Sequence, residues 1–113
     1  MRSSALKLWV NMPTDERFTA LHFVSYHGNL ELIQILVGDM SADIEYKNTY
    51  GANVLHIAAQ GNQPLPIYYF VKKKHMDISE ADNRGSTPLH WACYSKSEEA
   101  LIYILACNPN LEA

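Results

Sequence analysis

The chain has 113 residues, 48% of them hydrophobic and 19% charged, which is enough apolar material for one packed core and too little charge for a disordered segment. Nine Lys and Arg stand against twelve Asp and Glu, a formal net charge of −3, so no basic excess exists to neutralise phosphates and nucleic acid is excluded as an expected partner. No run approaches the roughly 18 apolar residues of a membrane span, and Met1-Arg2-Ser3-Ser4 leads into no signal-peptide core; direct membrane insertion by this segment is not expected.

The chain is organised by an internal repeat. Leu21-His22, Leu55-His56 and Leu89-His90 recur at a fixed step of 34, the signature of a repeat architecture. An apolar residue stands twelve positions before each of these histidines, at Val10, Ile44 and Ile78, and Leu111 follows Ile78 by 33, so the third unit is one residue short. The units run 14–47, 48–81 and 82–113, and residues 1–13 are the end of a partial preceding repeat, with Val10-Asn11 in the end-of-unit slot.

Each unit reads as turn, helix, short loop, helix. Tyr50-Gly51 and Arg84-Gly85 are turn signals. The first helix then starts on an N-cap at Thr19, Asn53 or Thr87, the last followed by Pro88 at the first helical position, where a missing N–H does no harm. Small residues follow at Val24-Ser25, Ala58-Ala59 and Ala92-Cys93 and predict close helix approach. Gly28 and the pair Gly61-Asn62 are C-cap candidates. The second helix shows apolar spacing at Leu32, Ile33, Leu36 and Val37 in unit one and at Leu101, Ile102, Leu105 and Ala106 in unit three, which predicts one buried face. In unit two, Pro66 is expected to open this helix, with Pro64 in its lead-in. Asp43-Ile44-Glu45 and Asp77-Ile78-Ser79 are expected to end their units in extended chain. Lys72, Lys73, Lys74 and His75 close a helix and read as a solvated basic end.

Gly85-Ser86-Thr87-Pro88-Leu89-His90-Trp91-Ala92 resembles the ankyrin signature, and the units 14–47 and 48–81 match it in phase. The resemblance covers residues 10–113. It implies an all-α ankyrin-repeat solenoid of helix-turn-helix units with β-hairpin fingers projecting to one side, used to bind proteins, and a piece of a longer array. A narrower resemblance joins Asn53-Val54-Leu55-His56-Ile57-Ala58-Ala59-Gln60-Gly61-Asn62 and the segment 86–92 to the ankyrin segment of Asp-His-His-Cys palmitoyltransferases. There the tryptophan after the histidine belongs to a groove for short proline-containing substrate segments. Trp91 occupies that slot; the asparagine accompanying it in that family falls at Gly61. No Asp-His-His-Cys motif occurs here, so any such chemistry lies outside this chain.

His22, His56 and His90 invite a metal reading, but they sit on successive units some 8–10 Å apart, whereas one zinc ion needs its ligands at about 2 Å. The ankyrin resemblance gives them a structural role, tying a helix start to the neighbouring finger. His90 and Cys93 form an i, i+3 pair, yet Cys93 falls in the small core slot equivalent to Ala59 and is expected to be buried and inert. No catalytic residue, metal or cofactor is expected, and the chain is not read as an enzyme. Cys93 and Cys107 lie fourteen apart without paired spacing and read as reduced thiols of a cytoplasmic protein, or of the cytosolic face of a membrane through a parent chain.

The repeat leaves finger tips and the outer side of the first helix free for recognition. The residues placed there are Phe18, Tyr26, Tyr50, Gln60, Arg84, Trp91 and Tyr94, an aromatic set with one arginine, the composition of interface hot spots. The partner expected is a protein or a short extended peptide, proline-containing if the narrower resemblance applies. Trp91 has two readings, packed between units or standing in the groove.

Overall fold

The computed structural model describes residues 10–107. Its helices are α1 (Ala20–His27), α2 (Leu30–Gln34, continued by the π-helical turn Ile35–Asp39), α3 (Val54–Gln60), α4 (Pro64–Tyr68, continued by the π-helical turn Tyr69–Lys73), α5 (Pro88–Tyr94) and α6 (Glu98–Ala106). Helices α1, α3 and α5 stack into one layer and α2, α4 and α6 into a second, with each consecutive pair packed across the two. The core lies between them: Leu21, Ile33, Leu55, Ala58, Ala59, Ile67, Phe70 and Ile104 are essentially inaccessible.

Before each inner helix the chain turns back on itself in a finger, built the same way three times. Thr14, Asn48 and Asp82 donate their N–H groups to the carbonyls of Phe18, Ala52 and Ser86, at 2.9, 3.0 and 2.8 Å. Their side-chain oxygens accept in return from the N–H groups of those same residues, at 3.1, 3.0 and 2.9 Å. The fingers thus close by turn and side-chain bonds, and no strand is assigned among the described residues. Adjacent fingers are linked too. Thr49 donates its N–H and its hydroxyl to the Glu16 carbonyl, and Asn83 donates its N–H to the Tyr50 carbonyl and its amide to the Thr49 carbonyl.

The three histidines carry these fingers onto the helices. The N–H groups of Thr19, Asn53 and Thr87 donate to Nδ1 of His22, His56 and His90 at 2.9, 3.1 and 2.9 Å. An accepting Nδ1 puts the proton on Nε2, and Nε2 of His22 and of His56 donates to the carbonyls of Tyr46 and Ser86, each at 3.1 Å. Burial pushes both imidazoles below their ordinary pKa, against the opposing pull of those carbonyls, so both rings serve as neutral struts.

Left-handed backbone recurs in phase, at Arg17, Gly51 and Gly85, at Gly28, Asn62 and Lys96, and at Ser41 and His75. The expected caps are in place: Gly28 caps α1 at φ 79°, and the pair Gly61-Asn62 closes α3, with Gly61 at the cap (φ −83°) and Asn62 left-handed. Several other sequence expectations are corrected. Helix α4 opens at Pro64, after Gln63, and not at Pro66. The unit ends are turned instead of extended, with the Tyr46 and Glu80 N–H groups donating to the Asp43 and Asp77 carbonyls. On α6 the buried positions are Ala100 and Ile104, while Ile102 is 68% exposed and Leu105 is also exposed. Cys93, expected in the core with Ala59, is exposed: the slot is covered only where a following unit packs on it, and none does so among the described residues.

Candidate functional site

The finger tips and the exposed side of the inner helices border two cavities that meet at Gln60. The larger, about 700 Å³, is lined by Tyr50, Asn83 and Arg84 from the fingers and by Gln60, Trp91 and Tyr94 from α3 and α5, with Asp82 at its edge. The smaller, about 300 Å³, is lined by Phe18, His22, Phe23, Tyr26, His27, Ile57 and Gln60. Five of the seven residues singled out from the sequence therefore share one cavity, while Phe18 and Tyr26 belong to the next. Phe23, His27 and Ile57 join them there. Phe23 stands two repeat steps before Trp91, as Tyr26 does before Tyr94, so the repeat register is the signal by which the sequence could have yielded Phe23.

Trp91 is half-buried. Its Nε1 donates to Asp82 Oδ2 at 2.9 Å, and its ring meets the His56 imidazole edge-on at 5.6 Å between centroids. The polar edge is thereby held within its own unit and the ring rests on the preceding one, while Trp91 still lines the cavity. Asp82 accepts two further bonds at Oδ1, from the N–H groups of Arg84 and Ser86, both at 2.9 Å. Burial works to raise the Asp82 carboxyl, but those bonds and the indole together hold it below its ordinary value. Around it, Tyr50 and Tyr94 are 50% and 72% exposed, a large aromatic surface left in water. The smaller cavity is ringed by Phe18 and Phe23, 5.9 Å apart, and by Tyr26 edge-on to His27 at 5.3 Å, over the buried floor of Ile57.

His90 does not point toward chemistry with Cys93, since its Nδ1 is held by the Thr87 N–H and lies 3.0 Å from the Thr87 hydroxyl. No group of three His, Cys, Asp or Glu among the described residues is arranged to hold a metal ion, and no helix there is long and apolar enough to cross a membrane. What the geometry offers is a continuous, preformed surface of rings and hydrogen-bonding groups.

The family model for ankyrin repeats, in three copies, matches residues 3–65 and 21–113. The chain belongs to the ankyrin repeat family. Human ankyrin repeat domain-containing protein 53 is 32% identical over 85 residues, covering 72% of this chain and 16% of that protein. Notch-regulated ankyrin repeat-containing protein of Xenopus tropicalis is 42% identical over 71 residues, covering 62% and 61%. NF-kappa-B inhibitor alpha of Gallus gallus is 30% identical over 107 residues, covering 90% and 33%. The chain thus spans less than two thirds of each of these relatives. Among solved structures, a chain from the complex of the Bdellovibrio bacteriovorus predatory endopeptidase Bd0816 with immunity protein Bd3460 superposes with a TM-score of 0.72 over 89% of this chain and 50% of that one, at 19% identity, a likeness of fold. As an ankyrin repeat array, the chain is a protein-interaction module. These relatives add no support to the palmitoyltransferase resemblance. The geometry also departs from it, because at Gly61, the slot of that family's asparagine, a β-carbon would collide with the Tyr26 carbonyl oxygen.

Proposed function

We propose that this ankyrin array binds a partner protein by laying an extended segment of it along the groove formed by Tyr50, Gln60, Arg84, Trp91 and Tyr94, continuing over Phe18 and Tyr26. The observation that carries the reading is the anchored indole: Trp91, fixed by Asp82 and His56, offers ring surface to a 700 Å³ cavity beside two exposed tyrosines. A preformed groove of this kind loses little ordering entropy on binding, and aromatic anchors supply most of an interface's energy. Proline in the bound segment suits it, because a ring already held in extended backbone stacks on aromatic faces without further loss of freedom. The chain acts in this reading as a holder and not as an enzyme. Its compartment is the cytosol, a reading supported by two unpaired thiols, one of them exposed.

Calorimetric titration of short extended peptides, with and without proline, tests the reading on the native chain and on Trp91→Ala. Loss of about 2 kcal/mol or more of binding energy, with the melting curve kept, supports it. Binding that ignores Trp91 and Tyr94 alike removes the groove from the account.

A further inference from the structure

The two cavities are chemically unlike, and the difference points to the partner's sequence. Arg84 is exposed at the rim of the larger one. Among the described residues no carboxylate stands within ion-pair reach of it, whereas Lys47, one finger earlier, is paired with Glu80 at 2.6 Å. Asp82, the carboxylate of the same cavity, bonds the Arg84 N–H, the Ser86 N–H and the Trp91 indole and forms no ion pair with the Arg84 guanidinium. The smaller cavity has no Asp, Glu, Lys or Arg in its lining and presents the rings of Phe18, Phe23 and Tyr26. Between the two lies Gln60, whose side-chain amide has no partner among the described residues and faces the path joining them.

We infer that the groove selects an extended segment bearing an acidic side chain, which pairs with Arg84, and a large apolar side chain, which enters the ring-lined cavity, with Gln60 bonding the backbone between them. This rests on the groove reading above and gives it a partner chemistry. The spacing follows from the stack. The two sites are one to two repeat steps apart, about 10 to 20 Å, and an extended chain rises about 3.3 Å per residue, so the acid and the apolar anchor stand about three to six residues apart.

The probes are fluorescein-labelled twelve-residue peptides holding one Glu and one Leu or Phe at separations of two to nine, with Lys-for-Glu partners, read by fluorescence polarisation. Affinity is expected to peak at separations of three to six, to fall about three- to tenfold when Glu becomes Lys, and to weaken with added salt. Arg84→Glu should reverse the preference, so that the Lys peptides bind better, and that reversal cannot come from a folding defect. Phe23→Ala should weaken both series equally. Peptides that bind through Trp91 and Tyr94 with no response to charge or to Arg84 overturn this inference and leave the groove reading intact. If no peptide binds through the groove, both fall. A chain that instead self-associates, its concentration-dependent mass abolished by Tyr94→Ala, assigns the groove to a second copy and also overturns the inference.

Discussion

The α-carbon of Gly61 lies against the backbone carbonyl of Tyr26, and no β-carbon fits between them. The end of α3 therefore meets the end of α1 backbone to backbone, and the Gln63 amide donates to the same Tyr26 oxygen at 3.2 Å. Gly61→Ala should push the two units apart and cost about 1 to 3 kcal/mol. Gly38 is the control. An added methyl there meets nothing within 4 Å, so Gly38→Ala should leave stability unchanged or raise it by up to about 1 kcal/mol. Urea titration of the two variants checks the pair, and similar losses would mean that the Tyr26 contact does not limit the stack.

Leu55 is fully buried in the middle inner helix, while Tyr50 stands half in water on a finger. Leu55→Ala should cost about 2 to 5 kcal/mol and Tyr50→Ala less than about 1 kcal/mol. The order of their denaturation midpoints decides.

Neutral His22 and His56 give a pH dependence with a definite sign. Both imidazoles are shifted below 6.5, first through burial. The unfolded chain therefore binds protons in a range where the folded chain does not. Their contribution is complete above pH 6.5 and is lost as pH falls from there toward the folded values. The melting point should decline on going from pH 7.5 to 5, before carboxylates titrate, and His56→Gln should flatten that slope. A melting point constant over the range would show that the struts accept a proton in place.

Asp82 holds two backbone N–H groups and an indole at once. Asp82→Ala should release the third finger and cost about 1 to 3 kcal/mol, while Asp82→Asn, which keeps one acceptor oxygen, should cost less. Denaturation curves rank them, and hydrogen exchange at the Ser86 amide reports on the finger itself.

The repeat was legible because the step of 34 is written in residues whose roles are local: the capping residue, the leucine beneath it and the histidine three positions after the cap. These need only their own unit and the next finger. The errors arose where a residue's environment depends on which neighbours are present. Cys93 shares Ala59's slot, but the slot is buried only under a following unit. The pair Gly61-Asn62 caps α3 as its residue types predict, but what requires glycine at Gly61 is the approach of Tyr26 from another unit. In the groove, composition located the aromatic residues. The division of Phe18 and Tyr26 from Tyr50, Trp91 and Tyr94 depends on how far each side chain reaches across the stack, which spacing alone does not state.

The outer helices of units one and two end in the π-helical turns Ile35–Asp39 and Tyr69–Lys73. A π turn holds one residue more than the α turn it replaces. The extra residue is stored at the end of the outer helix, ahead of the next finger, and an insertion or deletion there is absorbed locally, without dephasing the fingers.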